Sequence, residues 1–253
     1  MDSKSVKWWG HRYPFRHFRA QSVLDSEAYQ RVCAAFTAIL ETTAGERDGP
    51  YQLNRSNPKY DAKILAMNED LAPSFDPFFS PSWLRALYRL VGLPELQRID
   101  GGLHSSAKGS RDGWIHSDLC SGWFDESSSQ PKLFPHRRKC DYFSGTAKTK
   151  DAKPVEYVRA ATMIYYLCNE GWRPGDGGET GLYSSSRLGS RTPVELVQPI
   201  DNSILLFECS PHSYHRFVAN PRRARNSIIL WLHATVQQAE ATWGNAINRR
   251  KPS

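Results

Sequence analysis

The feature that most constrains this chain is the punctuation of its second half. Short apolar runs occur at 96–103, 113–118, 158–167, 178–183, 193–198, 202–208, 214–218 and 226–233, each closed by Gly, Pro, Asn or another polar residue. Runs of strand length with no long helical pattern between them do not suit a parallel α/β sheet, which needs a crossover helix after each strand. They predict an antiparallel sandwich or barrel.

The first hundred residues read mainly as helix. From Asp25, a residue type suited to an N-cap, Ala28, Tyr29, Val32, Phe36, Ile39 and Leu40 recur at three- and four-residue steps until Gly45. A second helix is predicted from Pro81 behind Ser80, with Trp83, Leu84, Leu87 and Val91 on one face and Gly92 and Pro94 closing it. Each helix has an apolar face to bury, and the β-rich half supplies the surface. The chain is expected to form one domain: 1–95 as helical support, 96–233 as the β core, and 234–253 as a short helix and tail.

One stretch interrupts this pattern. Residues 119–157 are polar, contain SSSQPKLFPHRRKC, and are too long for an ordinary connection. The segment is expected to act as a lid that is mobile until substrate arrives.

Charge and cysteine usage narrow the class. The net charge of +7, from 33 Lys+Arg against 26 Asp+Glu, favours anionic partners. The basic residues of 4–19 and 249–251 lie near the ends and form no aromatic-interleaved stripe, so a nucleic-acid partner is not expected. The five cysteines are widely separated, which favours reduced thiols over a disulfide framework or a zinc knuckle. With no secretory leader pattern and no apolar run of membrane-spanning length, a cytoplasmic protein without a membrane partner is expected.

The chemistry resides in two clusters. In Gly113-Trp-Ile-His-Ser-Asp118, strand alternation would place His116 and Asp118 on one face, within reach of one ion. Further on, His212 and His215 each offer a third ligand. Two imidazoles and one carboxylate around a metal leave one face open, the arrangement suited to nonheme Fe(II) oxygenases. Arg225 and Ser227 would share a strand face, and a guanidinium beside a hydroxyl suits a carboxylate.

Taken together, His116-Ser-Asp118, Ala161 to Trp172, Gly175 to Tyr183, Ser210 to Arg216 and Arg225-Asn-Ser227 resemble the 2-oxoglutarate- and Fe(II)-dependent oxygenases, in particular the prolyl 4-hydroxylase-like branch. The resemblance spans roughly residues 96–233. It implies a double-stranded β-helix (a jelly-roll, cupin-like fold) with N-terminal helices packed on it. It also implies an Fe(II) triad of His116, Asp118 and His215, His215 being preferred to His212 because the family's distal His precedes its basic residue by nine or ten positions. Arg225, Ser227 and Tyr166 are implied to receive the distal carboxylate of 2-oxoglutarate, while Tyr165, by alternation, packs elsewhere. O2 would be the co-reactant, with succinate and carbon dioxide as products and hydroxylation of an unactivated C–H as the reaction.

The long 119–157 stretch departs from compact prolyl hydroxylases. The substrate expected is therefore a small polar or anionic metabolite, such as an amino acid or a natural-product intermediate, met by Trp114, Arg137 and Arg138. A peptidyl, prolyl-type hydroxylase acting on a protein is the alternative, and a noncatalytic β-barrel binding module is the alternative of another class.

Overall fold

The computed structural model describes residues 6–43, 61–94, 98–129, 132–186 and 192–249. Gly45, residues 96 and 97, Lys4 and the basic residues at 250 and 251 lie outside the described residues. Helix α1, Ser26–Thr43, begins where the N-cap signal placed it: the Asp25 carboxylate accepts the Ala28 N–H at 2.8 Å, satisfying one of the first-turn donors. Helix α2, Pro81–Val91, is capped by Ser80 and ends at Gly92, whose φ of 74° is the left-handed stop that glycine adopts at no steric cost. Its Trp83, Leu84, Leu87, Tyr88 and Val91 are buried. Each leucine of this kind contributes about 1.5–3 kcal/mol by leaving water.

The helices cover a mostly antiparallel β architecture, the double-stranded β-helix. The strands, in chain order, are β1 (Trp8–His11), β2 (His17–Gln21), β3 (Lys63–Ala66), β4 (Ile99–Ser106), β5 (Ser121–Asp125), β6 (Pro154–Tyr166), β7 (Thr180–Tyr183), β8 (Glu195–Val197), β9 (Ser203–Glu208), β10 (Tyr214–Phe217) and β11 (Arg225–Thr235). A large sheet runs β1-β2-β9-β6-β11-β4-β3, with β5 paired to the far end of β6, and a small sheet runs β10-β7-β8. Helix α3, Val236–Trp243, follows β11 directly behind a Thr235–Gln238 capping box.

Alternation along the two central strands explains the layering. Met163 and Tyr165 of β6, with Ile228, Leu230 and Leu232 of β11, point to the helix side and join Phe36, Phe78 and Trp83 in the main core. The intervening Ile164, Tyr166 and Ile229 point the other way, toward Leu182 and Val197 of the small sheet. The polar residues with chemistry to perform share this second face.

Three expectations need correction. Beside its helices, the N-terminal part carries strands that the periodicity did not announce: β1 and β2 extend the large sheet beyond β9, and β3 pairs with β4. Residues 113–118 are not a strand. His116 forms a single bridge to His215, and the rest of the segment is irregular. The 119–157 stretch is built into the fold: it contains β5, its Phe134, Cys140 and Tyr142 are buried, and Trp123 N–H donates to Tyr142 O at 2.9 Å.

Candidate active site

His116 and His215 meet because their backbones exchange a pair of hydrogen bonds, His116 N–H to His215 O at 3.1 Å and the reverse at 2.9 Å. The bridge brings the ring centroids to 4.5 Å. Each ring also donates its Nδ1–H to the carbonyl two residues back: His116 to Trp114 O at 2.9 Å, His215 to Ser213 O at 3.1 Å. A carbonyl can only accept, so Nδ1 carries the proton and Nε2 presents its lone pair. Both Nε2 atoms face Asp118, His116 at 3.5 Å from Oδ1 and His215 at 3.4 Å from Oδ2.

Asp118 is 5% exposed and is oriented from behind. Its Oδ2 accepts from Trp231 Nε1 at 2.8 Å and from Thr162 Oγ1 at 2.9 Å. Burial pushes this carboxyl up, but the attraction of the two imidazoles when they are protonated, His215 foremost, outweighs it and holds the group well below the usual carboxylate range. Ligands at right angles on bonds of about 2.1 Å lie about 3 Å apart, so two imidazole nitrogens and one anionic oxygen at these separations fit a small divalent metal. Imidazoles fixed through Nδ1 to carbonyls, and a carboxylate fixed by an indole and a hydroxyl, are the outer partners such a site requires.

A cavity of about 640 Å³ opens on this triad and is also lined by Arg225, Thr180, Arg159 and Trp231. Arg225, on β11, is 3% exposed, yet among the described residues no carboxylate pairs with it. Its Nη1 donates to Ser227 Oγ at 3.0 Å and its Nη2 reaches Thr180 Oγ1 at 3.4 Å, while Nε has no acceptor. The Tyr166 ring lies 5.1 Å from the guanidinium, and its hydroxyl bonds Thr180 Oγ1 at 2.7 Å. A buried cation answered only by hydroxyls and ring faces is incomplete, and a carboxylate-bearing ligand completes it. The site therefore fits both Fe(II) and 2-oxoglutarate.

Arg159 closes a further wall. Its guanidinium stacks 3.8 Å from the Trp231 ring centroid, bonds Asp100 Oδ2 at 3.1 Å and Tyr142 Oη at 3.0 Å, and stands 3.9 Å from Asp118 Oδ1. Arg137, from the 119–157 segment, bonds the other oxygen of Asp100. Burial alone would raise the Asp100 carboxyl, but the two guanidinium groups bring it below its ordinary value.

Of the residues expected to meet substrate, Trp114 and Arg137 line the cavity, whereas Arg138 is exposed and outside its lining. Tyr166 and Ser227 sit behind Arg225 rather than on the cavity wall, Tyr165 packs on Phe78 in the main core, and His212 is exposed. Sequence reasoning did not single out Thr162, Thr180, Arg159, Asp100 or the role of Trp231. For Thr162 and Trp231 the signal was present, since each shares strand parity with Tyr166 or Arg225.

Comparison with known proteins agrees with this geometry. Residues 138–233 match the family model described as the 2OG-Fe(II) oxygenase superfamily. A prolyl 3,4-dihydroxylase of Ostreococcus tauri is 37% identical over 83 residues, which is 30% of this chain but 16% of that protein. In structure, the chain is similar to a Pseudomonas putida prolyl-4-hydroxylase (TM-score 0.50, 16% identity, covering 91% of this chain and 94% of that one). It is also similar to a Trichoplax adhaerens prolyl hydroxylase in complex with a hypoxia inducible factor peptide fragment (TM-score 0.56, 14% identity, covering 89% and 86%). These relatives overturn the expectation of a small-molecule partner: they are prolyl hydroxylases, one of them in complex with a peptide, and none is named for a free metabolite.

Proposed function

We propose, from the match of residues 138–233 to the 2OG-Fe(II) oxygenase superfamily model, that the chain is an Fe(II)- and 2-oxoglutarate-dependent hydroxylase of a peptidyl, prolyl-type substrate. The observation that carries the chemistry is the pairing, within one cavity, of the His116–Asp118–His215 triad with a buried Arg225 that has no carboxylate partner among the described residues. The reaction balances as substrate C–H, O2 and 2-oxoglutarate giving substrate C–OH, succinate and carbon dioxide. The chemistry the iron supplies when bound is activation of dioxygen coupled to that decarboxylation.

The protein residues hold and place. His116, Asp118 and His215 would hold the metal on one face. Arg225, steadied by Ser227 and Thr180, would take the distal carboxylate of 2-oxoglutarate through charge-assisted hydrogen bonds, with Tyr166 supporting it through Thr180. Trp231 and Thr162 keep the Asp118 carboxylate from turning, and Arg159, stacked on Trp231, covers that wall against water.

The peptidyl reading is supported by the named relatives and by the mouth of the cavity. Trp114 and Phe143 line it yet remain 40% and 53% exposed, offering aromatic faces to a chain that passes over the opening. The test is to supply Fe(II), 2-oxoglutarate and a set of proline-bearing peptides alongside free amino acids and metabolites. The expected result is one added oxygen on a peptide per succinate formed. Succinate release driven by free metabolites and by no peptide would overturn it.

A further inference from the structure

A second cluster of metal-ligating side chains lies at the edge of the large sheet. His11 and His17 face each other across the β1–β2 hairpin as register partners, their rings parallel within 2° and 4.7 Å apart. Glu195 begins β8 of the small sheet and reaches across to them. One ligand atom from each of the three lies within 4.8 Å of the others, and Glu195 Oε2 is 3.2 Å from His17 Nε2.

The decisive detail is the tautomer of His17. This residue is fully buried and gives its Nδ1–H to Phe15 O at 3.0 Å, the carbonyl two residues back. The same local device fixes His116 and His215 at the triad. It leaves the Nε2 lone pair of His17 aimed at a carboxylate oxygen, with no donor supplied to it. Two acceptors held face to face, the imidazole fully buried and the carboxylate partly exposed, call for a cation or a donor between them. His233 shows the alternative solution, since its Nε2 is met by the Tyr142 hydroxyl at 2.9 Å.

We propose that His11, His17 and Glu195 form a second metal site, taking a divalent first-row ion of the zinc type and tying the β1–β2 hairpin to the small sheet. Two neutral imidazoles and one carboxylate match the ligand preference of Zn²⁺, and the partly exposed His11 and Glu195 leave a fourth, water-accessible position. Arg19 holds the other oxygen of Glu195, Oε1, in an ion pair, so that Oε2 is left for the metal. The site is separate from the triad. Phe15 and Phe207 stand between them, 5.7 Å apart, with Phe15 6.0 Å from His17 and Phe207 4.7 Å from His215, and none of the three ligands lines the cavity.

The test uses the full chain carrying His116→Ala and His215→Ala, which removes the first site, stripped with a chelator and then titrated with Zn²⁺. The expected result is about one zinc bound per chain, and Co²⁺ in its place giving the strong visible absorption of tetrahedral coordination. Adding His11→Ala or Glu195→Gln, both at partly exposed positions, abolishes both signals while circular dichroism stays native. A double variant that binds no zinc at micromolar concentration overturns the proposal, as does one whose zinc is retained undiminished after both further substitutions.

Discussion

Asp118 shows how much of a metal site lies outside its ligands. Trp231→Phe keeps the aromatic ring but deletes the indole N–H that holds Asp118 Oδ2 at 2.8 Å. A hydrogen bond to a charged acceptor contributes about 1.5–3 kcal/mol, and removing such an outer partner weakens metal binding about 10- to 100-fold. Anaerobic Fe(II) titration of W231F is expected to show that loss, and parent affinity would remove the indole from the account. Arg225→Lys tests the cosubstrate seat. A lysine cannot reproduce the planar fork that spans Ser227 and Thr180, so KM for 2-oxoglutarate is expected to rise roughly tenfold or more with kcat changed less. Equal KM values would place the cosubstrate elsewhere. His116, Asp118 and the two downstream histidines were legible from residue type and spacing, and Trp231 could have been reached by counting alternate residues from Arg225. Arg159 could not. Strict alternation from Thr162 puts it on the opposite face, and it reaches the site because the β11–β6 register shifts between Leu232 and His233, pairing His233 with Arg159.

At the scale of elements, the same limit explains what was misread. β1 and β3 are four residues long, too short for a periodic signal; β3 gains its meaning from β4, and β1 gains its own through β2, whose other partner, β9, lies far along the sequence. Residues 119–157 read as a loop because their polar groups are satisfied locally: Asp141 Oδ1, for example, accepts the N–H groups of Phe143 and Ser144. Their anchor is Tyr142, packed edge-on against Phe124 and bonded through its hydroxyl to His233 and Arg159. This arrangement predicts a segment ordered without substrate, in place of the mobile lid expected from composition. Hydrogen exchange on the protein alone should show the amides of Trp123 and Lys148 protected, each being bonded within the segment. Gly122→Ala provides the control. A Cβ there would stand 2.3 Å from the Tyr142 ring, so the ring must move, with an expected destabilisation of about 1–3 kcal/mol and loss of that protection. Fast exchange in the parent protein, changed only by added peptide, would restore the lid.

For the whole molecule, the charge that matters is the buried charge more than the +7 carried by the chain. Asp100, Arg159, Tyr142 and His233 form one network between the 119–157 segment and the sheet. Within it His233 must remain neutral. Burial outweighs the attraction of Asp100 and pushes the ring from its ordinary 6.5 down to about 3. The unfolded chain therefore takes up a proton near pH 6.5 that the folded protein refuses until about pH 3, so stability is greatest above that window and falls as pH drops through it. Asp100 acts with the same sign. Its carboxyl is held below the ordinary value, so the stability its ion pairs contribute is also lost on acidification. One histidine of this kind contributes a slope of up to about 1.4 kcal/mol per pH unit. Urea unfolding of the metal-free chain at stepped pH should give a free energy that declines below about pH 6.5. In His233→Gln the decline should be shallower by up to that single-histidine slope, because glutamine has no proton to take up in either state. Parallel curves for the two proteins would mean that the acid sensitivity arises elsewhere and that the buried imidazole is not what sets the lower pH limit of this fold.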